Sequence, residues 1–171
     1  MAILSNSERA SGQPEEETEN ESAEDLILRE IGPTSPRPDQ IRVMQDVVGL
    51  KLKEIAYATG VSRESVRLWK RADNGDRPER YEDLRAVTER LLRGGSLDPI
   101  LVGAWFRSRN RGLGYRRPLE AIRAGAFEKV SHAAESFLAL SAAASEHVRS
   151  GEPTEVLERH DVVEAVTGSV P

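Results

Sequence analysis

Residues 50–71, LKLKEIAYATGVSRESVRLWKR, decide how the rest of the chain is read. Leu52, Ile55 and Ala56 form one apolar stripe at helical spacing, and Val66 and Trp69 form a second, three residues apart. Between them Gly60 suits a left-handed turn that a side chain would resist. Ala56 is small where two helices would cross, Val61 can plug the corner, and Ser62 is a good N-cap with Glu64 in the first turn behind it. This is the pattern of a helix-turn-helix, whose second helix lies in the DNA major groove. The plainer alternative is a helical hairpin with a solvated basic face.

On the DNA reading, Arg63, Glu64, Arg67 and Arg71 point away from Val66 and Trp69, toward base edges or phosphates. Ser62 and Lys70 belong to the same face, and Lys51 and Lys53 reach the DNA backbone from the start of the first helix. Arginine matches two guanine acceptors at once, whereas lysine on phosphate adds affinity without sequence information.

Charge agrees with that placement. The 171-residue chain carries a net −5, yet residues 37–123 hold nineteen basic and twelve acidic side chains. Residues 1–36 hold two basic and nine acidic, and residues 124–171 three and eight. Positive charge therefore gathers around the proposed reading helix, as phosphate binding requires.

Outward from this centre, Ile41, Met44, Val47 and Val48 make a helical stripe between Pro38 and Gly49, which supports the helix-turn-helix from behind. Pro78 opens another helix with Tyr81, Leu84, Val87, Leu91 and Leu92 inward. Residues 37–95 thus read as one all-helical DNA-binding unit. Residues 1–36 are acidic and poor in apolar groups, which predicts a disordered tail, with DLILREI at 25–31 as a short exception able to form one or two helical turns.

The stretch 96–130, SLDPILVGAWFRSRNRGLGYRRPLEAIRAGAFEKV, continues in helices. Ser96 or Asp98 caps a helix with Pro99 at its first position, running through Leu101, Val102, Trp105 and Phe106. Residues 110–115 make a glycine-containing loop, and Pro118 starts a short helix closed by Gly125. A long amphipathic helix follows, with Phe127, Val130, Ala134, Phe137, Leu138, Ser141, Ala144 and Val148 on one side. Its stripe fits core packing or a dimer or partner contact equally well. Residues 151–171 are an acidic tail, with PTEVLERHDVVEAV at 153–166 fit for a last short helix.

The order Trp105, Arg107, Ser108, Asn110, Leu113, then Arg117-Pro118-Leu119-Glu120-Ala121-Ile122, Gly125 and Val130 resembles the C-terminal domain of Xre/MbcA/ParS-type antitoxins. In that family the pattern W-x-x-x-x-N…L-G-G…P-L-x-x-L…G follows an Xre-like helix-turn-helix, as it does here over residues 40–138. The departure is Tyr115, where the second loop glycine would stand. The resemblance implies an all-α fold with a toxin-binding domain over 96–150, an operon-encoded RES-domain toxin that degrades NAD, inhibition by covering that toxin's active site, and repression of the shared operon at operator DNA. It also implies a homodimer or a larger hetero-oligomer with the toxin. Trp105, Arg107, Asn110 and Leu119 are then expected at the toxin. A dinucleotide-binding cleft should be basic, so Glu152, Glu155, Glu158, Asp161 and Glu164 in the tail could act as an electrostatic plug.

Other classes fare worse. There is no cysteine, hence no disulfide framework or thiolate chemistry, in keeping with a soluble cytoplasmic protein. No apolar run is long enough to span a bilayer, so no membrane partner is expected. His132, His147 and His160 lack the spacing of a metal site. No nucleophile–base pair or cofactor loop stands out, so neither an enzyme nor a bound cofactor is expected. The competing readings are a free-standing regulator whose C-terminal domain only dimerises, and an adaptor whose helix-turn-helix no longer reads DNA.

Overall fold

The computed structural model describes residues 22–150, apart from residue 74, residues 95–97 and the side chains of 148–150. Among the described residues the protein is all-helical, with eight α-helices and no strand. None of these helices is long and apolar enough to cross a membrane.

Helix α1 (Ala23–Ile31) forms at the DLILREI exception within the expected tail. The Ser22 hydroxyl accepts the Asp25 N–H at 3.1 Å to start it, and Ile31 ends fully buried with Ile27 packed beside it. The expected tail boundary at 36 is therefore too late: Ile31 and Ile27 offset the ordering of one short helix once a core is there to receive them. Gln40 fixes the following turn. Its amide donates to the carbonyls of Gly32 (2.7 Å) and Ser35 (3.0 Å), and its oxygen accepts the Tyr81 hydroxyl at 2.8 Å. Burial pushes the Tyr81 hydroxyl well above its ordinary range, so it stays a donor.

Helix α2 (Arg37–Arg42) does not run on regularly to Gly49 but widens into a π turn over Val43–Val47. The Val48 N–H donates to the Val43 carbonyl at 3.1 Å, five residues back. That register brings Val43, Met44 and Val48 into the core together, while Val47 is half-buried.

Helix α3 (Leu52–Thr59) ends as its sequence predicts. Gly60 has φ +75°, and the N–H of Val61 reaches back to the Ala56 carbonyl at 3.1 Å. Helix α4 (Arg63–Arg71) is capped by the Ser62 hydroxyl on the Ser65 N–H at 3.0 Å. Helix α5 (Glu79–Arg93) turns Tyr81, Leu84, Val87 and Leu91 inward with Leu92 packed at their edge.

Helix α6 (Pro99–Arg107) is capped by Asp98, which accepts the Ile100 N–H at 2.8 Å. Val102, Trp105 and Phe106 are buried, and Leu101 is half exposed. Helices α7 (Pro118–Arg123) and α8 (Phe127–Ser150) complete the described residues. One hydrophobic cluster runs from Ile31 to Ala134. α3 packs on α7 and α5 on α8, so the two units expected at 37–95 and 96–150 share that core. Beyond Leu138, α8 leaves it: Leu140 is 71% exposed.

Candidate functional site

The α4 face follows from its packing. Val66 is fully buried, and Trp69 meets Tyr81 edge-on at 5.4 Å between ring centroids. The Arg37 guanidinium lies 4.8 Å from the Trp69 ring centroid and donates to the Gly75 carbonyl at 2.9 Å. Arg37 is thus a buried brace rather than a surface cation, which the sequence alone did not distinguish. With Trp69 fixed inward, Arg63, Glu64, Arg67 and Arg71 are exposed. Arg67 pairs with Glu64 at 3.2 Å, holding its guanidinium across the outer face. Lys70 is turned to the π turn, donating to Gln45 Oε1 at 2.9 Å. Ser62 is occupied as the cap. Lys51 and Lys53 are exposed at the start of α3. Leu68, which sequence reading passed over, is 51% exposed in the middle of this face.

The motif of the second half forms scaffold and groove. Trp105 is 6% exposed, meeting Phe106 edge-on at 5.2 Å and stacked on Phe137 of α8 at 5.9 Å. Leu119 is 5% exposed. Both were expected at the partner, but as large apolar groups they are drawn into the core. Asn110 staples its own loop: its Oδ1 accepts the Gly112 N–H at 2.8 Å, capping the 3₁₀ turn Arg111–Leu113. Tyr115 follows Gly114 in left-handed backbone, at φ +61°, so the conformation for which the family uses glycine persists under a tyrosine side chain 62% exposed.

Arg107 points away from this loop. Its Nε and a terminal nitrogen donate to the two carboxylate oxygens of Glu54 in α3, at 3.0 and 3.2 Å, and it also donates to the Gly49 carbonyl. Burial would raise the Glu54 carboxyl. The hydrogen bonds from Arg107 and the Lys51 N–H, with both cations nearby, outweigh it and hold the carboxyl below its ordinary value. Arg107 is accordingly a clamp between α6 and α3. A second tie lies close by, where Arg123 sits 4.7 Å from the Tyr57 ring centroid and donates to its carbonyl at 3.2 Å.

What remains open on this side is a groove of about 550 Å³. Trp105, Ala133, Phe137 and Leu140 supply its apolar wall, while Arg109, Arg111, Lys129 and His132 stand around it. Of the expected partner residues, Trp105 and Asn110 line it, whereas Arg107 and Leu119 line a separate pocket beside Lys53 and Tyr57. The acidic residues Glu152, Glu155, Glu158, Asp161 and Glu164 lie outside the described residues.

The helix-turn-helix thus shares one core with the helices that carry the W-x-x-x-x-N loop. No known family profile matches the sequence. A probable mycobacterial cidal antitoxin from Mycobacterium tuberculosis (strain ATCC 25618 / H37Rv) is 37% identical over 91 residues, which are 53% of this chain and 77% of that protein. A chain in the crystal structure of the M. tuberculosis MbcT–MbcA toxin–antitoxin complex is 25% identical with a TM-score of 0.47, covering 65% of this chain and 95% of that one. The protein belongs to the Xre/MbcA/ParS-type antitoxin family.

Proposed function

We propose that this protein is the antidote to a RES-domain toxin encoded beside it, sparing cellular NAD in the cytoplasm, and that it represses their shared operon through α3 and α4. It is a binding protein, not an enzyme. The observation that carries the reading is its 37% identity to a mycobacterial cidal antitoxin over 77% of that protein's length. Residues 37–95 serve DNA and residues 96–150 serve the toxin. The buried Trp105 and Leu119 shape the toxin surface from beneath, and Asn110 sets its loop. Direct contact falls to the exposed rim, chiefly Arg109, Arg111 and Lys129, where positive charge suits an acidic shoulder of the toxin. The acidic residues from Glu152 to Glu164 then address the basic entrance of the NAD cleft.

Co-expression tests this. The neighbouring reading frame, induced alone, should deplete NAD and stop growth, and this protein should co-purify with it and restore both. Arg109→Glu with Lys129→Glu should abolish rescue while leaving the melting temperature in place. Removing residues 151–171 should weaken rescue and spare DNA binding. A harmless neighbour, or full rescue by the charge-reversed variant, would overturn the assignment.

A further inference from the structure

Leu68 sits where a soluble helix has no packing reason to hold a branched apolar group. With Val66 and Trp69 buried, a rotation of about 100° per residue puts Glu64, Arg67, Leu68 and Arg71 together on the opposite face of α4. Single exposed leucines are common on protein surfaces, so exposure alone says little. The surroundings say more. Leu68 lies one turn beyond Glu64 and beside Arg67 and Arg71, all exposed, so no contiguous apolar patch forms there for a protein partner to cover. In a major groove, however, one apolar feature stands among the acceptors and donors: the C5 methyl of thymine.

We infer that Leu68 is a specificity-determining residue that packs on a thymine methyl group, next to the bases met by Arg67 and Arg71. The inference rests on the DNA reading of α4 and deepens it. Arginine selects guanine through its two acceptors, and Leu68 adds a thymine without any hydrogen bond. A base pair is thereby read at a point where the helix offers no polar group, and the low cost of leaving Leu68 exposed is recovered when both apolar groups leave water.

The probe separates a methyl contact from every other effect. Full-length protein selects a duplex from a randomised pool, and the selected duplex is remade with each thymine replaced in turn by uracil, which removes only the methyl. One thymine per bound α4 should be sensitive, with affinity falling about fourfold on methyl removal. Leu68→Ala should bind the thymine and uracil duplexes equally, at about the wild-type affinity for uracil. If every uracil duplex binds wild-type protein as well as its parent, or if Leu68→Ala keeps the thymine preference, the inference is wrong. If Leu68→Ala binds all duplexes like wild type but loses co-purification with the toxin, Leu68 is a protein contact and the inference is equally wrong. If no sequence is enriched from the pool, the DNA reading itself fails and carries this one with it.

Discussion

Adding one methyl group at Gly103, buried within α6, should do more damage than the small size of the change suggests. A Cβ built there would stand 2.1 Å from the Val48 carbonyl oxygen, 3.3 Å from the Val48 carbonyl carbon and 3.2 Å from an Arg107 nitrogen. A carbon and a carbonyl oxygen settle at about 3.3 Å or more, so α6 must retreat from the end of the π turn by roughly 1 Å. The obstacle is backbone and cannot rotate aside. Gly103→Ala gains about 1 kcal/mol of helix propensity. Against this, overpacking costs about 1–3 kcal/mol, and a retreat of that size also disturbs the Arg107 bonds to Glu54 and Gly49. The net loss should be about 2–3 kcal/mol, lowering Tm by about 10 °C. Urea and thermal unfolding of the full chain, followed by circular dichroism, measure it. Gly60→Ala makes the contrast: space is open there, but φ is +75°, so its loss should be nearer 1 kcal/mol and come from strain alone. A Gly103→Ala protein as stable as the parent would refute the close approach of α6 to the turn.

Three further outcomes follow from the same geometry. Removing residues 1–21 should leave Tm within about 2 °C, whereas removing 1–36 also strips Ile31 and the carbonyls held by Gln40 and should cost about 2–4 kcal/mol in a urea titration. Tyr115→Gly should stabilise the free protein by about 1 kcal/mol by relieving its left-handed backbone, and destabilisation would show that no strain is held there. The folded Glu54 carboxyl takes its proton less readily than the unfolded one, so the clamp stabilises fully above the unfolded value of 4.5 and fades as pH falls through the lower folded value. Glu54→Gln should therefore flatten that part of the acid limb of a stability-versus-pH curve, and an unchanged limb would mean the clamp adds nothing.

Periodicity carried most of the fold because the helices are amphipathic and short. Gly60, Ser62, Val66 and Trp69 do what their spacing requires, and Asp98, one of two candidates, is the cap. What periodicity missed depended on distant partners. Within the polar residues 1–36 the DLILREI stretch did mark α1, but not that Ile31 would be buried against α2 and α5. The π turn is invisible to a 3.6-residue template, although the adjacent Val43 and Met44 marked a stripe too wide for one face. The clamp made by Arg107 and the brace made by Arg37 were not legible because a sequence does not reveal which carbonyl or carboxylate lies opposite. Leu68 was visible throughout, but an apolar residue on a charged face was counted with neither stripe.

The placement of the motif changes what the family pattern can mean for recognition. Trp105, Leu113, Pro118, Leu119 and Ile122 are buried, Asn110 holds a turn, and Arg107 ties α6 to α3. Groups consumed in this way fix a shape, and they would fix the same shape whichever toxin is bound. On the proposed function, choice between toxins would come from side chains the pattern leaves open: Arg109 and Arg111 on the loop, Tyr115 at its tip, and Lys129, His132 and Leu140 along α8. Charge and exposed apolar area at these positions discriminate partners by attraction or by unrelieved repulsion, at little cost to the fold. The α4 helix divides its labour likewise. Val66 and Trp69 fix the helix against the core, while Glu64, Arg67, Leu68 and Arg71 stay exposed on its outer face. Because α3 packs on both α4 and α7, and Arg107 closes on α3, the outer face of α4 and the groove beside Trp105 are carried on one packed body. On the proposed function, a toxin seated in the groove would therefore stand at a fixed position relative to DNA held by α4.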